Sequence, residues 1–232
     1  MNDPNHLSSR EKAIAVYEAL TERYPDTRPP LVYRNAFELL VAVILSAQTT
    51  DRQVNLVTPE LFATFPDARS LAGADVRDVE RIVHSVGFYR TKARNIVGAA
   101  AALTERFGGE VPDRMEELVT LPGVGRKSAN VVLGHCFDRP AVIVDTHFMR
   151  VTNRLGLSYC GNPDLIEAHV RSYLPPEIAT GFSMAVNYHG RNCCTARAPA
   201  CEICPITALC DFYARRPVAE TPARSSGQRR NR

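Results

Sequence analysis

Leu121-Pro122-Gly123-Val124-Gly125-Arg126-Lys127-Ser128-Ala129-Asn130, followed by Val144-Asp145-Thr146-His147, decides how the chain is read. Pro122 fixes one φ, and Gly123 and Gly125 admit the positive φ that other residues avoid, so the run reads as a tight turn. Arg126 to Phe137 then reads as a helix. A glycine turn opening a helix leaves several backbone N–H groups unpaired at the positive end of the helix dipole, which is an anion site. Lys127 falls in the first helical turn, where the dipole and Arg126 both disfavour a second positive charge and predict a lowered pKa. A neutral amine is a nucleophile, and Asp145 supplies a carboxylate able to take a proton or face a developing cation. Taken alone, the same residues also describe a helix N-terminus with a solvated Lys and an N-capping Asp. A phosphate-binding P-loop fails on spacing: Arg126 intervenes between Gly125 and Lys127, and no strand precedes the turn.

Outward from this stretch the pattern is helical. Ser8 with Glu11 reads as a capping box for a helix over 8–24, with Ile14, Tyr17, Leu20 and Tyr24 at helical spacing. Asn35 with Glu38 caps Leu39 to Leu45, which is apolar on every side and therefore predicts a helix buried all round. Thr50 with Gln53 marks another cap, and Pro59 predicts a kink or a fresh start capped by Thr58. Residues 75–107 carry two helices joined by Gly87-Phe88-Tyr89, the second stopping at Gly108-Gly109. Asp113 with Glu116 predicts the cap of a short helix leading into the turn. Helices are expected at about 146–155, 163–173 and 176–189, with Asn162-Pro163 as cap and first helical residue. No period-two pattern persists, so the fold is expected to be all-α, as two helical lobes meeting at 121–147.

The 232 residues allow one large domain or two small ones, with no apolar run of membrane-spanning length and a polar N-terminus. The expected setting is cytoplasmic. The net charge of +3 is uneven: residues 215–232 hold six Arg against Glu220 alone, leaving 22 basic and 24 acidic residues in 1–214. A nucleic-acid surface on such a body must gather its cations on one face. Beyond about residue 214, the Pro, Ser, Gly and Arg content predicts disorder.

Seven Cys without a secretory signal argue against a disulfide framework. Cys136 and Cys160 stand alone and read as small buried residues. Cys194, Cys201, Cys204 and Cys210 are spaced Cys-x6-Cys-x2-Cys-x5-Cys. Four soft thiolates so close in sequence point to zinc or an iron–sulfur cluster, and zinc sites usually show two short-spaced pairs where this has one. Four protein ligands leave no open position, so the group reads as structural.

Together the Leu121–Asn130 turn, Asp145 and the four-Cys loop resemble the endonuclease III family of DNA glycosylases, over roughly residues 8–213. The resemblance implies a helix-hairpin-helix at Leu121–Asn130 whose Gly123, Val124, Gly125 and Arg126 grip a DNA phosphate. It implies Lys127 as nucleophile with Asp145 as its partner, and a [4Fe-4S] cluster on Cys194, Cys201, Cys204 and Cys210. Leu45-Ser46-Ala47-Gln48-Thr49-Thr50-Asp51 is similar to the family's loop in which the Gln enters the gap left by an extruded nucleotide, so Gln48 would be a wedge. Phe88, after the junction glycine, would be a second; otherwise it reads as a core Phe. The implied architecture is interleaved. An N-terminal helix (1–28) joins the cluster lobe (140–213), a six-helix lobe carrying the hairpin spans 29–139, and a basic tail spans 214–232, with the active site in the cleft between lobes.

The activity implied is that of a monomeric, nucleoid-associated DNA glycosylase and AP lyase of base excision repair. Its partner would be duplex DNA containing damaged pyrimidines or abasic sites. Two features depart from the family pattern. Cys193 precedes Cys194, so a shifted ligand frame stays open, and Thr195 to Ala200 offers only Arg197 where the family has several cations, a deficit the Arg-rich tail would offset. The alternatives are a monofunctional mismatch glycosylase, a non-catalytic helix-hairpin-helix DNA-binding protein, and an electron-transfer protein that merely holds the cluster.

Overall fold

The computed structural model describes residues 7–215; the expected disordered tail lies outside them, apart from its first residues. Helix α1 (Ser9–Arg23) begins at the predicted capping box, where Ser8 Oγ accepts from Glu11 N at 3.3 Å and the Glu11 carboxylate accepts from Ser8 N at 2.9 Å. Helix α2 (Ala36–Ser46) begins at Asn35, whose Oδ1 accepts from Glu38 N at 2.9 Å. Residues 37–45 of α2 are buried without interruption, as expected of a helix apolar on all sides. Glu38 is buried among them, with its carboxylate accepting from Arg34 N at 2.7 Å.

Helix α3 (Asp51–Thr64) starts at Thr50, whose Oγ1 accepts from Gln53 N at 3.3 Å. Of the two outcomes expected at Pro59, a kink or a fresh start capped by Thr58, the fresh start is not found: Pro59 lies inside the helix and Thr58 is buried. A proline removes one helical N–H, and here Val54, Val57, Leu61 and Phe62 anchor the helix on both sides of the gap. Next come α4 (Ala68–Ala72), capped by Asp67 and not anticipated from the sequence, α5 (Val76–Ile82) and α6 (Tyr89–Phe107), which ends at Gly108 with φ 66°. Helix α7 (Met115–Leu118) has no side-chain cap. Asp113, expected to supply one, is instead ion-paired with Arg139, a charged partner that outcompetes a backbone amide.

Helix α8 (Arg126–Cys136) follows the glycine turn, α9 (Thr146–Leu155) follows Asp145, and α10 (Pro163–Tyr173) follows Asn162, whose Oδ1 accepts from Asp164 N and Leu165 N. The helix expected over 176–189 is a 3-10 turn (Pro176–Ile178) leading into α11 (Ala179–Asn192). Two further 3-10 turns and α12 (Asp211–Ala214) complete an all-α fold with no strand among the described residues.

Buried apolar side chains fall into two clusters. One draws on α2 to α8 with Met184 of α11; the other on Ala13, Val16 and Leu20 of α1 together with α9, α10 and the rest of α11. The link between α8 and α9 threads both: Ala141 and Ile143 point into the first, Val142 and Val144 into the second. Such alternation is what an extended segment between two cores requires. Its amides are held by α11, with Ala141 N donating to Thr180 Oγ1 at 3.3 Å and Ile143 N to Ser183 Oγ at 3.1 Å. Gly134 lets α8 approach that face, since a Cβ there would sit 2.7 Å from Thr180 Cγ2. Lys127, at the start of α8, and Asp145, at the start of α9, therefore lie on either side of a segment clamped by both cores.

Candidate functional site

The turn before α8 is built as its sequence requires. Leu121 and Val124 point into the core, while Pro122, Gly123 and Gly125 stay exposed. Gly123 has φ +78°, and a Cβ on it would lie 2.9 Å from Asn95 Nδ2, so conformation and space both demand glycine. Gly125 differs from expectation: its backbone is extended (φ −97°) and it serves as the N-cap. No side chain caps α8. Its first amides therefore face outward at the positive end of the dipole, the condition for holding an anion. The Val124 amide is not among the donors on offer, because it bonds Leu121 O at 3.1 Å.

Lys127 is exposed, with Asp145, Asp51 and Arg191 near enough to act on its charge. Desolvation is the main reason its pKa lies below the ordinary lysine value; Asp145 and Asp51 pull it back up, and Arg191 pushes it down. The lowered pKa is thus as expected but its cause is different. Arg126, expected to be the repelling cation, turns away and donates to both carboxylate oxygens of the buried Glu167, at 2.7 and 3.2 Å. Arg191, from the end of α11, is the cation beside Lys127, and it pairs with Asp51 at 2.8 Å.

Asp145 caps α9 through Oδ1, which accepts from Phe148 N at 2.7 Å. Its Oδ2 accepts a short hydrogen bond from Asn187 Nδ2 on α11. Asn187 is 8 % exposed. It was missed in the sequence because nothing local connects it to a residue 42 positions earlier. Both carboxylate oxygens are engaged, so the orientation of Asp145 is set by its supports.

Gln48 and Phe88 occupy two neighbouring turns, between α2 and α3 and before α6. Both have left-handed backbone, with φ 53° and 58°, and Phe88 is 69 % exposed, so it is no core residue. A Cβ on Gly87 would lie 3.6 Å from Gln48 O, which places the two turns side by side. Backbone conformations that non-glycine residues rarely adopt cluster at working sites.

Helix α9 also organises the cysteine loop. Arg150 donates to Gly190 O at 2.7 Å and to Cys194 O at 3.1 Å. Arg154 donates to Thr195 O at 2.8 Å, to Ala196 O at 2.9 Å and to Cys194 Sγ at 3.2 Å, with its guanidinium over the Phe212 ring. Neither arginine was singled out from sequence, since an Arg in a helix carries no local sign of a distant carbonyl. Cys193, Cys194, Cys201, Cys204 and Cys210 line a common cavity with Val151, Leu155 and Ile206 among its walls. In this apolar setting burial pushes the Cys204 thiol up to about 12, so a bare thiolate is disfavoured there. Soft donors in an enclosed apolar pocket, with an arginine on one sulfur, suit an iron–sulfur cluster. Cys193 Sγ donates to Ala200 O at 3.5 Å, and His189, Cys193 and Cys204 form a second close grouping within 4.8 Å.

Residues 41–176 match the family profile described as HhH-GPD superfamily base excision DNA repair protein. Residues 194–210 match the iron-sulfur binding domain of endonuclease III, and this segment holds a [4Fe-4S] cluster. The chain is 48% identical over 204 residues to endonuclease III of Synechocystis sp., covering 88% of this chain and 93% of that one. It is 36% identical to endonuclease III of Escherichia coli K12, covering 88% and 97%. Among solved structures, a trapped endonuclease III–DNA covalent intermediate aligns with a TM-score of 0.83 at 38% identity, over 90% of this chain and 98% of the other. A thermostable thymine-DNA glycosylase shares the fold at TM-score 0.80 and 21% identity, covering 88% and 97%.

Proposed function

The chain belongs to the endonuclease III family of the HhH-GPD superfamily of base excision DNA repair proteins, and from that premise we propose a division of labour for its glycosylase and AP lyase chemistry. Lys127 is the nucleophile. Its amine attacks C1′ of an extruded nucleotide, the base leaves with the bonding electrons of the glycosidic bond, and loss of a proton from nitrogen with ring opening gives a Schiff base. Removal of a C2′ proton then expels the 3′-phosphate and nicks the strand; water releases the lysine. Asp145, oriented by Phe148 N and Asn187, accepts a proton or faces the positive charge that develops at the sugar.

The amides of Gly123, Gly125 and Arg126 hold a phosphate, with Val124 as the buried pin of the turn and Arg126 tied by its side chain to Glu167. Gln48 and Phe88 fill the space vacated by the extruded nucleotide. Cys194, Cys201, Cys204 and Cys210 are the cluster ligands, and the bound cluster fastens the loop that Arg150 and Arg154 hold against α9. We read 1–28 with 140–213 as the cluster lobe and 29–139 as the hairpin lobe. The substrates are oxidised or ring-damaged pyrimidines and abasic sites in duplex DNA, engaged by a monomer on the nucleoid.

The carrying observation is an amine in the first turn of a helix with no side-chain cap, close enough to the Asp145 carboxylate for that carboxylate to act on its charge. Borohydride reduction on duplexes bearing defined lesions tests it. Wild type should be trapped covalently and Lys127→Gln should not, while the variant still binds DNA; lyase activity surviving in Lys127→Gln overturns the assignment. A panel of lesions opposite each normal base tests the pyrimidine preference.

A further inference from the structure

Lys92, at the end of the first turn of α6, is 4 % exposed. A buried ammonium is costly, and burial lowers its pKa accordingly. A methionine of similar length would fill the same space without that cost, so what the lysine adds is its polar contact. Lys92 Nζ donates to Thr49 Oγ1 at 2.7 Å, and the Thr49 hydroxyl donates to Ala47 O at 3.5 Å. This chain of bonds spans Gln48 from both sides. The backbone N of Lys92 bonds Phe88 O at 3.1 Å, so the same residue also closes the turn that carries Phe88. Among the described residues three non-glycines have positive φ, and two of them are Gln48 and Phe88, the residues flanked by these bonds. A second tie runs parallel: Gln53 Nε2 donates to Ser85 Oγ at 2.7 Å.

We infer that Lys92 is a positioning residue which, through Thr49, locks the Gln48 turn to the Phe88 turn so that both side chains enter the duplex as one rigid unit. Strained turns persist only where their surroundings over-determine them. Here the determinant is a buried lysine whose bonds run to Thr49 and to Phe88 O, in the two turns themselves. The inference rests on the reading of Gln48 and Phe88 as the residues that fill the gap.

The test uses full-length, cluster-loaded protein and a duplex with 2-aminopurine beside a tetrahydrofuran abasic analogue, whose fluorescence reports extrusion. Lys92→Met and Thr49→Val should each lower the extrusion rate and single-turnover base release by about tenfold, the scale of one lost hydrogen bond to a charge. Their double variant should be no worse than either alone, because both break one link. Thr49→Ser keeps the hydroxyl and should restore extrusion, and affinity for undamaged duplex should not move. Normal extrusion in Lys92→Met, an additive double variant, or Thr49→Ser as impaired as Thr49→Val would each overturn the inference. Should Lys92→Met fail to fold, the Thr49 pair decides alone. Gln48→Ala separates the two readings: impaired extrusion there with normal Lys92→Met removes this inference only, whereas normal extrusion in Gln48→Ala removes the wedge reading and the inference with it.

Discussion

Arg191 Nη1 lies 2.8 Å from Asp51 Oδ2, joining the end of α11 to the first turn of α3 beside Lys127. The pair places opposite charges where both act on one amine. Arg191 lowers the Lys127 pKa and Asp51 raises it, while desolvation, the largest cause, is left in place by either substitution. Attack needs the neutral amine, so covalent trapping should rise with pH through the Lys127 pKa and then level off. Arg191→Met removes a repelling cation, which moves that rise to higher pH and slows trapping at neutral pH several-fold. Asp51→Asn removes an attracting carboxylate and leaves Arg191 unpaired, which moves it to lower pH. Trapping rates measured across pH for both variants check the opposed signs; shifts in the same direction would exclude this pair as the tuning element.

Asp145 performs two tasks that substitution can separate. As an N-cap, Asn serves as well as Asp, and the Asn187 amide can flip to present its oxygen to the new side-chain amide, so Asp145→Asn should melt within about 0.5 kcal/mol of wild type, whereas Asp145→Ala should lose about 1 kcal/mol. As the charged partner of Lys127, Asn is no substitute, and base release should fall by about a hundredfold or more in both variants. Thermal melts beside single-turnover kinetics check this. A parallel loss of stability and activity in Asp145→Asn would make the residue a cap and nothing else.

The legible parts of the molecule are those whose cause is local. Ser8 with Glu11, Asn35 with Glu38 and Thr50 with Gln53 are caps because the partner amide is three residues away, and each is found as read. The placement of Lys127 and Asp145 at helix starts is legible for the same reason, since the neighbours of each specify that start. Where a charged residue could choose a distant partner, local reading failed. Asp113 left its predicted helix for Arg139, and Arg126 turned from Lys127 to Glu167. The supports of the site, Asn187 under Asp145 and Lys92 under Thr49, depend on helices brought together by the two cores, and no spacing in the chain announces them.

Arg126 illustrates how such a distant partner alters a prediction. Its guanidinium binds Glu167, which is 4 % exposed and also lies 3.8 Å from Arg171. Arg126→Met leaves a buried carboxylate with one weaker partner and should cost roughly 1–3 kcal/mol of stability. Adding Glu167→Leu should recover most of that loss, because the cost is an unpaired charge rather than a missing attraction. If the phosphate grip is made by backbone amides, the salt dependence of DNA binding in the double variant should match wild type. A slope reduced by about one would instead mark the Arg126 side chain as a phosphate contact.

The ligand frame of the cysteine loop turns on two adjacent residues. Arg154 Nη1 lies 3.2 Å from Cys194 Sγ, compensating the charge a ligating thiolate would carry, while Cys193 Sγ donates to Ala200 O at 3.5 Å as a thiol does. Cys193 is also 2 % exposed, which suits a small apolar filler. Cys193→Ser should therefore retain the full iron and acid-labile sulfide content, with a modest loss of stability from a buried hydroxyl. Cys194→Ser should lose the cluster and lower the melting temperature by several degrees, since bound metal contributes directly to the stability of the loop it fastens. Iron and sulfide quantification on both variants, with the visible absorption band of the cluster, checks the pair. The reverse result would move the frame by one residue to Cys193, whose Sγ shares with His189 and Cys204 a grouping of donor atoms within 4.8 Å of one another.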